Sequence, residues 1–137
     1  MPGRELQDHR RVEQMDLYYK STRNSNLKVT ASEAILKGLA PDGGLFVPEK
    51  LPVLGKSMEE LKDLNYQDTA YEVMKCFLTD FTEEELRNCI EKAYDSKFDD
   101  EAIAPLVKVE DTYYLELFHG APIAFKDMAL SILPHLM

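Results

Sequence analysis

Residues 105–137 read PLVKVEDTYYLELFHGAPIAFKDMALSILPHLM, and this stretch decides the fold class. Its first part is rich in β-branched and aromatic residues on both sides of Glu110 and Asp111, which predicts two strands joined by a turn. A loop, HGAPIAFKD, leads to an apolar tail that predicts a buried helix, bent or ended at Pro134 because proline cannot donate a backbone hydrogen bond. Strand, loop and helix in this order are typical of the region that carries the chemistry in α/β enzymes.

The residues before 100 carry helical patterns instead. Three hydroxyl residues are followed three positions later by glutamate, the spacing of a capping box, and each pair predicts a helix start. These pairs are Thr30 with Glu33, Ser57 with Glu60, and Thr82 with Glu85. The helices are expected over 32–39, shortly after Ser57, and from Thr82 to about Lys97.

A further helix is predicted over 69–78 by apolar residues that recur at intervals of three and four, with Glu72 and Lys75 on its exposed side. The helix after Thr82 is expected to bury one face. That face comprises Leu86, Cys89, Ile90, Ala93 and Tyr94. Residues 16–24, DLYYKSTRN, predict a short strand, and residues 45–47, LFV, predict a brief buried extended segment.

These patterns predict an α+β protein. A mainly helical N-terminal domain with short β-strands is expected at 15–98, followed at 99–137 by the first strands and helix of an α/β domain. Residues 1–14 are polar and lack an apolar core, so we interpret them as a leader or extension and not as a secretory signal or membrane anchor. An added segment, an upstream extension and a frayed helix remain alternatives for them.

The composition excludes several function classes. The chain has 16 basic and 25 acidic residues, a net charge of −9, which disfavours nucleic acid and anionic membrane partners. Cys76 and Cys89 have neither CxxC nor zinc-ligand spacing, so we expect two buried thiols in a reduced, cytoplasmic setting. The acidic run at 99–101 lacks the spacing of a calcium loop, and no metal is predicted.

Lys126 is the principal candidate for chemistry. It ends the uncharged run IAFK just before the predicted helix, and Asp127 is placed to cap that helix. We expect partial burial, which favours the uncharged amine that can attack an aldehyde. Spacing alone is a weak signal for catalysis and favours an ordinary lysine that reaches solvent along its apolar stem.

Two blocks of the sequence resemble the threonine synthase family. They are SEAILKGLAPDGGLFVPEKLP at 32–52 and YYLELFHGAPIAFKDMALSILPHLM at 113–137. Similarity extends from about Asp16 to Met137. It implies a fold-type II enzyme in which Lys126 binds pyridoxal 5'-phosphate covalently and acts as the catalytic lysine. The implied reaction converts O-phospho-L-homoserine and water into L-threonine and phosphate.

The chain departs from the family pattern in two ways. Ala121 and Pro122 stand where the family commonly has proline followed by a small hydroxyl residue. No glycine-rich phosphate cradle follows the lysine, although such enzymes hold the cofactor phosphate with backbone amides. We therefore expect a truncated part of a longer enzyme, which alone neither retains the cofactor nor makes threonine.

For the other polar candidates we prefer a structural role to a functional one. His119 is expected to brace its turn, the alternative being a hydrogen bond to the cofactor loop. Residues 21–23 are expected to form a polar strand end, the alternative being an anion site. His135 is interpreted as a packing or surface residue, and His9 has no assigned role.

Two other functions stay open. One is a threonine-synthase-like phospho-lyase that acts on a different phosphorylated substrate. The other is a non-catalytic protein-interaction module, since apolar surface left bare would favour binding to a partner protein or self-association.

Overall fold

A computed structural model describes residues 16–137. Its elements in chain order are β1 (Tyr19–Ser21), α1 (Ala31–Lys37), β2 (Phe46–Pro48), α2 (Met58–Leu61), α3 (Tyr66–Phe77), α4 (Glu83–Ala93), β3 (Leu106–Val109), β4 (Thr112–Leu115), α5 (Asp127–Leu130) and α6 (Leu133–Leu136). Helices dominate before residue 100 and a hairpin with two short helices follows, so the predicted α+β class is confirmed. None of the helices formed by these residues has the length and apolarity needed to span a bilayer.

Three helices begin where the capping boxes predict. Thr30, Ser57 and Thr82 each accept a hydrogen bond from the backbone amide three residues later. In each box the glutamate side chain also accepts from the amide of the capping residue, at distances of 2.8 to 2.9 Å. Two amides that would lack a partner are thus satisfied at each helix start.

The predicted ends of two helices are wrong. Helix α3 begins at Tyr66, not at residue 69, because the Asn65 side chain caps it by accepting from the Asp68 amide at 2.8 Å. Helix α4 ends at Ala93, not near Lys97. Beyond it, the Asp95 side chain accepts from the Lys97 amide at 2.9 Å, a local turn that competes with helical hydrogen bonding.

The core lies between α3 and α4. The five residues predicted for the inner face of α4 are all buried, with exposures of 0 to 6%. They pack with Tyr71 of α3, with Phe98 and Ile103 from the loop after α4, and with Ile132 from the tail. The tail therefore completes the helical core.

The exposed side predicted for α3 is partly wrong. Glu72 is buried, and its carboxylate pairs with the Lys75 ammonium at 2.8 Å. This ion pair one turn along the helix lets the carboxylate leave water without losing its charge partner.

Two separate antiparallel strand pairs accompany the helices. Strand β1 pairs with β2, with Lys20 opposite Val47, and β3 pairs with β4, with Val107 opposite Tyr114. The extended segment at 45–47 and the turn between β3 and β4 are confirmed, but the burial predicted for the former is not. Leu45 is 60% exposed and β2 is half-buried, because the β1 and β2 pair is a two-stranded sheet.

The tail is interrupted near Pro134, as predicted. Two four-residue helices replace one, and Pro134 is the second residue of α6, where a missing backbone donor costs little. The burial predicted for the whole tail is wrong. Ile132 is buried, whereas Leu130 is 55% and Met137 69% exposed, since a four-residue helix presents only one side to the core.

Candidate functional site

Lys126 lies at the junction between the loop and α5. Its backbone is already helical, with φ −63° and ψ −21°, and its carbonyl accepts from the Leu130 amide at 2.8 Å. The partial burial predicted for its side chain is wrong. Lys126 is exposed, and so are Ile123 (74%) and Phe125 (67%), because no residue within 16–137 packs over these side chains. Within the same residues, no carboxylate lies in ion-pair distance of the Lys126 ammonium.

Asp127 does not cap α5 as predicted. Because Lys126 is already helical, Asp127 is the first residue inside the helix and its side chain turns back towards the loop. Its carboxylate is buried, with 3% of the residue exposed, and accepts from the Ala124 amide at 3.3 Å. Asp127 therefore fastens the loop to the start of α5, a role the capping interpretation missed.

Gly120 lets this carboxylate approach the backbone. A Cβ at position 120 would lie 2.5 Å from Asp127 Oδ2 and 2.7 Å from Asp127 Cβ, which no larger residue could accommodate without a shift. The Gly120 carbonyl also accepts from the Ile123 amide at 2.9 Å, closing a turn around Ala121 and Pro122. Ile123 adopts φ 57°, a left-handed conformation that is unfavourable for a β-branched residue, so this turn is strained.

His119 braces the same loop from the other side, in agreement with the interpretation we preferred. Nε2 lies 2.7 Å from a Glu116 oxygen, and Nδ1 contacts Asp99 Oδ1. The His119 carbonyl also accepts from the Asp99 amide at 3.0 Å. The hydrogen bonds to Glu116 and then Asp99 raise the pKa of His119 above its usual value.

Tyr94 connects the helical core to α5, a contact that no sequence pattern indicated. Its hydroxyl donates to the Met128 carbonyl at 2.5 Å, and its ring meets Tyr66 edge-on with centroids 4.9 Å apart. Burial raises the pKa of Tyr94, which keeps the hydroxyl protonated as a donor. The helix that follows Lys126 is thus held against the core.

The run at 21–23 forms a polar strand end, as preferred. Ser21 Oγ donates to Asp42 Oδ1 at 2.7 Å, and the Arg23 guanidinium donates to the Asp42 carbonyl at 3.2 Å. Thr22 Oγ1 accepts from the Leu45 amide at 3.0 Å. The hydrogen bonds from Ser21 and the Gly44 amide lower the pKa of Asp42. These groups satisfy one another and stabilise the turn that leads into β2.

The remaining candidates are structural or uninformative. Cys89 is buried, as predicted, and its thiol donates to the His135 carbonyl at 2.9 Å; burial raises its pKa. Cys76 is half-buried, less than predicted, and donates to the Glu72 carbonyl at 3.3 Å. His135 itself is exposed, and His9 lies outside the described residues.

Four clefts on the described surface have linings that do not include Lys126, although one of them includes Asp99. They have volumes of about 260 to 520 Å³ and are lined by residues between 64 and 103. Among residues 16–137, no group of three or more His, Cys, Asp or Glu side chains is arranged to hold a metal ion. The candidate site is the loop around Lys126, the lysine of the AFKD block, with its supports Asp99, Glu116, His119 and Asp127.

Comparison with known proteins places this arrangement in a family. A family model described as threonine synthase N terminus matches residues 18–94, more than half of the chain. Threonine synthase from Eremothecium gossypii is 41% identical over 132 residues, covering 89% of this chain and 26% of the relative. Threonine synthase-like 2 from Pongo abelii is 35% identical, covering 84% of this chain and 24% of the relative.

A solved structure agrees with the sequence matches. The crystal structure of the PLP-bound threonine synthase from Brucella melitensis superposes with a TM-score of 0.79 at 32% identity, covering 88% of this chain and 26% of that one. The chain spans about a quarter of the length of the curated relatives it matches. On the family match, the sequence identities and the shared fold, the chain belongs to the threonine synthase family.

Proposed function

We propose that this chain supplies the N-terminal part of a pyridoxal-phosphate-dependent threonine synthase, with Lys126 as its cofactor-binding and catalytic lysine. The reaction would convert O-phospho-L-homoserine and water into L-threonine and phosphate. One observation carries this proposal. Lys126 belongs to the AFKD block and presents an exposed amine without an ion-pair partner within residues 16–137, on a chain whose family includes a PLP-bound structure.

The described residues offer a partner for the aldehyde group of the cofactor. The Lys126 amine could bond to the aldehyde carbon with loss of water, since it is exposed and has no carboxylate partner within residues 16–137. The desolvation that activates such an amine would come from the rest of the complete enzyme. Adjacent glycines could form part of a phosphate-binding loop, but Gly43 and Gly44 lie in the turn beside Ser21 and Arg23 instead. We propose that the phosphate is held by residues of the complete enzyme outside this stretch.

Lys126 would have a second task during the reaction. When bound, the cofactor supplies an electron sink for carbon–hydrogen bond breaking next to the substrate amine. The amine of Lys126, once displaced by the substrate amine, would take protons from the α and β carbons and deliver protons to the α carbon and to the γ carbon, where one replaces the departed phosphate. Phosphate would leave from the γ carbon, and the hydroxyl of water would add at the β carbon.

A chimeric enzyme would test the function. Residues 16–137 would replace the matching N-terminal stretch of the Eremothecium gossypii threonine synthase, and phosphate release and threonine formation would be measured. We expect O-phospho-L-homoserine to be preferred over other phosphorylated hydroxy amino acids. A strong preference of the chimera for another phosphorylated substrate would favour the threonine-synthase-like alternative, and a folded chimera without any turnover would contradict both.

The chain alone is expected to be inactive, because the described residues offer an amine but no assigned phosphate site. After incubation with pyridoxal phosphate and desalting, the 137-residue chain should retain no protein-bound cofactor absorbance. A retained band that disappears in Lys126→Ala would contradict this expectation.

The hairpin of β3 and β4 favours protein association as a second function. Both of its faces carry exposed apolar residues, and an isolated two-stranded ribbon is marginally stable in water. These residues are Leu106, Val107, Val109, Tyr113, Tyr114 and Leu115, with exposures of 37 to 61%. Sedimentation of the chain as a monomer at all concentrations would contradict self-association through this surface.

Two further aspects of the complete protein are proposals. We place the boundary between the N-terminal domain (15–98) and the start of the cofactor-binding domain (99–137) directly after Phe98 and before the hairpin. Ile103 and Ile132 of the second part pack into the helical core across this boundary. A cytoplasmic location is supported by Cys76 and Cys89, which form no disulfide.

A further inference from the structure

We propose that His119 is a positioning residue, clasped between Asp99 and Glu116, that sets the place of the loop bearing Lys126. This inference rests on the proposed role of Lys126, since positioning matters only if that amine reacts. It goes beyond that role by assigning a task to the charged cluster Asp99, Glu116 and His119, which we call the histidine clasp.

The geometry of the histidine clasp requires a charged ring. Both ring nitrogens face carboxylate oxygens, Nδ1 towards Asp99 and Nε2 towards Glu116 at 2.7 Å. Ionised carboxylates only accept hydrogen bonds, so both nitrogens must carry a proton for both contacts to be favourable. The side chain of His119 is 12% exposed and its ring stacks on Phe118, with centroids 4.7 Å apart. The ring is therefore fixed in orientation.

Through Asp99, the clasp joins His119 to a segment that is distant in sequence. Asp99 follows the helical core and is 20 positions before His119, whereas Glu116 directly follows β4. The backbone hydrogen bond from the Asp99 amide to the His119 carbonyl, 3.0 Å long, adds a third connection. The start of the Lys126 loop is thus attached both to the core and to the hairpin.

A continuous set of contacts links the clasp to Lys126. Gly120 follows His119 and packs directly against the buried Asp127 carboxylate, leaving no room for a Cβ. Asp127 in turn binds the Ala124 amide and adjoins Lys126. A shift of His119 would therefore move Gly120 against Asp127 and change the position of Lys126.

The clasp should weaken as pH rises. Asp99 and Glu116 are the charged groups that face the ring, and their hydrogen bonds raise the pKa of His119 above 6.5. A raised folded-state pKa means that the stabilisation is complete below pH 6.5 and is lost as pH rises through the folded-state value. Ordering of the loop should follow the same profile.

Amide hydrogen exchange of the 137-residue chain would test the inference. Exchange at Ile123, Ala124 and Asp127 would be measured across the pH range of His119 titration and corrected for intrinsic rates. We expect His119→Gln to lower protection of these amides roughly ten-fold at pH 6, as expected for losing hydrogen bonds to charged groups. The wild type should lose the same protection as pH rises, whereas the variant should show no such step.

Two controls keep the result interpretable. His135→Gln replaces an exposed histidine outside the clasp and should leave the loop unchanged. If His119→Gln fails to fold, Asp99→Asn, which keeps the size of the side chain but removes its charge, should reduce loop protection and flatten the pH step. Unchanged protection in a folded His119 or Asp99 variant would overturn the proposal.

Chemical labelling separates this inference from the proposed function. In the chimeric enzyme, which has a complete cofactor site, pyridoxal phosphate adducts would be trapped with borohydride. The share of label on Lys126 relative to the other lysines would be compared between the wild type and His119→Gln. We expect the variant to lower that share several-fold. An equal share in both proteins, despite a change in exchange, would contradict positioning of the amine. Labelling of Lys126 no stronger than that of other lysines in the wild type would count against the proposed function alone.

Discussion

Lys126→Ala in the chimeric enzyme is expected to lower turnover by roughly 10³-fold or more, the range that loss of a general acid or base produces. The loss should be at the upper end because, under the proposed function, one amine would perform two tasks, holding the cofactor and moving protons. Phosphate release from O-phospho-L-homoserine would be the measurement. The cofactor absorbance of the purified enzyme should change in the same variant.

Two matched variants would show whether the loss of turnover is due to the missing amine of Lys126. Lys126→Arg keeps the positive charge but cannot supply a free amine near neutral pH, so it should be as inactive as the alanine variant. Lys50→Ala removes another exposed lysine, in the turn after β2, and should leave turnover within about two-fold, because surface substitutions are usually close to neutral. Activity of Lys126→Arg near the wild-type level would show that charge, not the amine, is required.

The capping boxes show which features a single sequence can predict. Thr30, Ser57 and Thr82 start helices where expected, since the hydrogen bonds of a capping box involve residues only three positions apart. The end of α4 was missed. The side chain of Asp95 competes there with helical hydrogen bonds. The spacing of apolar residues, from which the helix was predicted, gives no information about such a hydrogen bond.

The environment of Lys126 could not be predicted in the same way. The AFKD block identifies the residue, but its exposure depends on which elements cover the start of α5, and those contacts are not local in sequence. The same reasoning applies to Asp127. Its spacing predicted a cap, whereas Gly120, seven residues earlier, makes room for its buried carboxylate. Bracing by His119 was predicted, but its partners Asp99 and Glu116 and the role of Asp127 emerged only from packing.

Leu86 tests whether the helical core stabilises the whole chain. It is 1% exposed on the inner face of α4, within the cluster that also contains Ile90 and Ile132. Leu86→Ala removes buried methyl groups and leaves a cavity, for which the free energy of unfolding typically falls by about 2 to 5 kcal/mol. Such a loss would be a large part of the roughly 5 to 15 kcal/mol that stabilises a typical domain.

Urea unfolding followed by circular dichroism would measure the change, with Leu51→Ala as the matched control. Leu51 is 82% exposed, so the same substitution there should change stability by less than about 0.5 kcal/mol. Because Ile132 lies in the tail after Lys126 and packs into the same cluster, Leu86→Ala should also increase hydrogen exchange in α5 and α6. Destabilisation without that change would mean that the tail is held independently, by contacts such as the Tyr94 hydrogen bond to Met128.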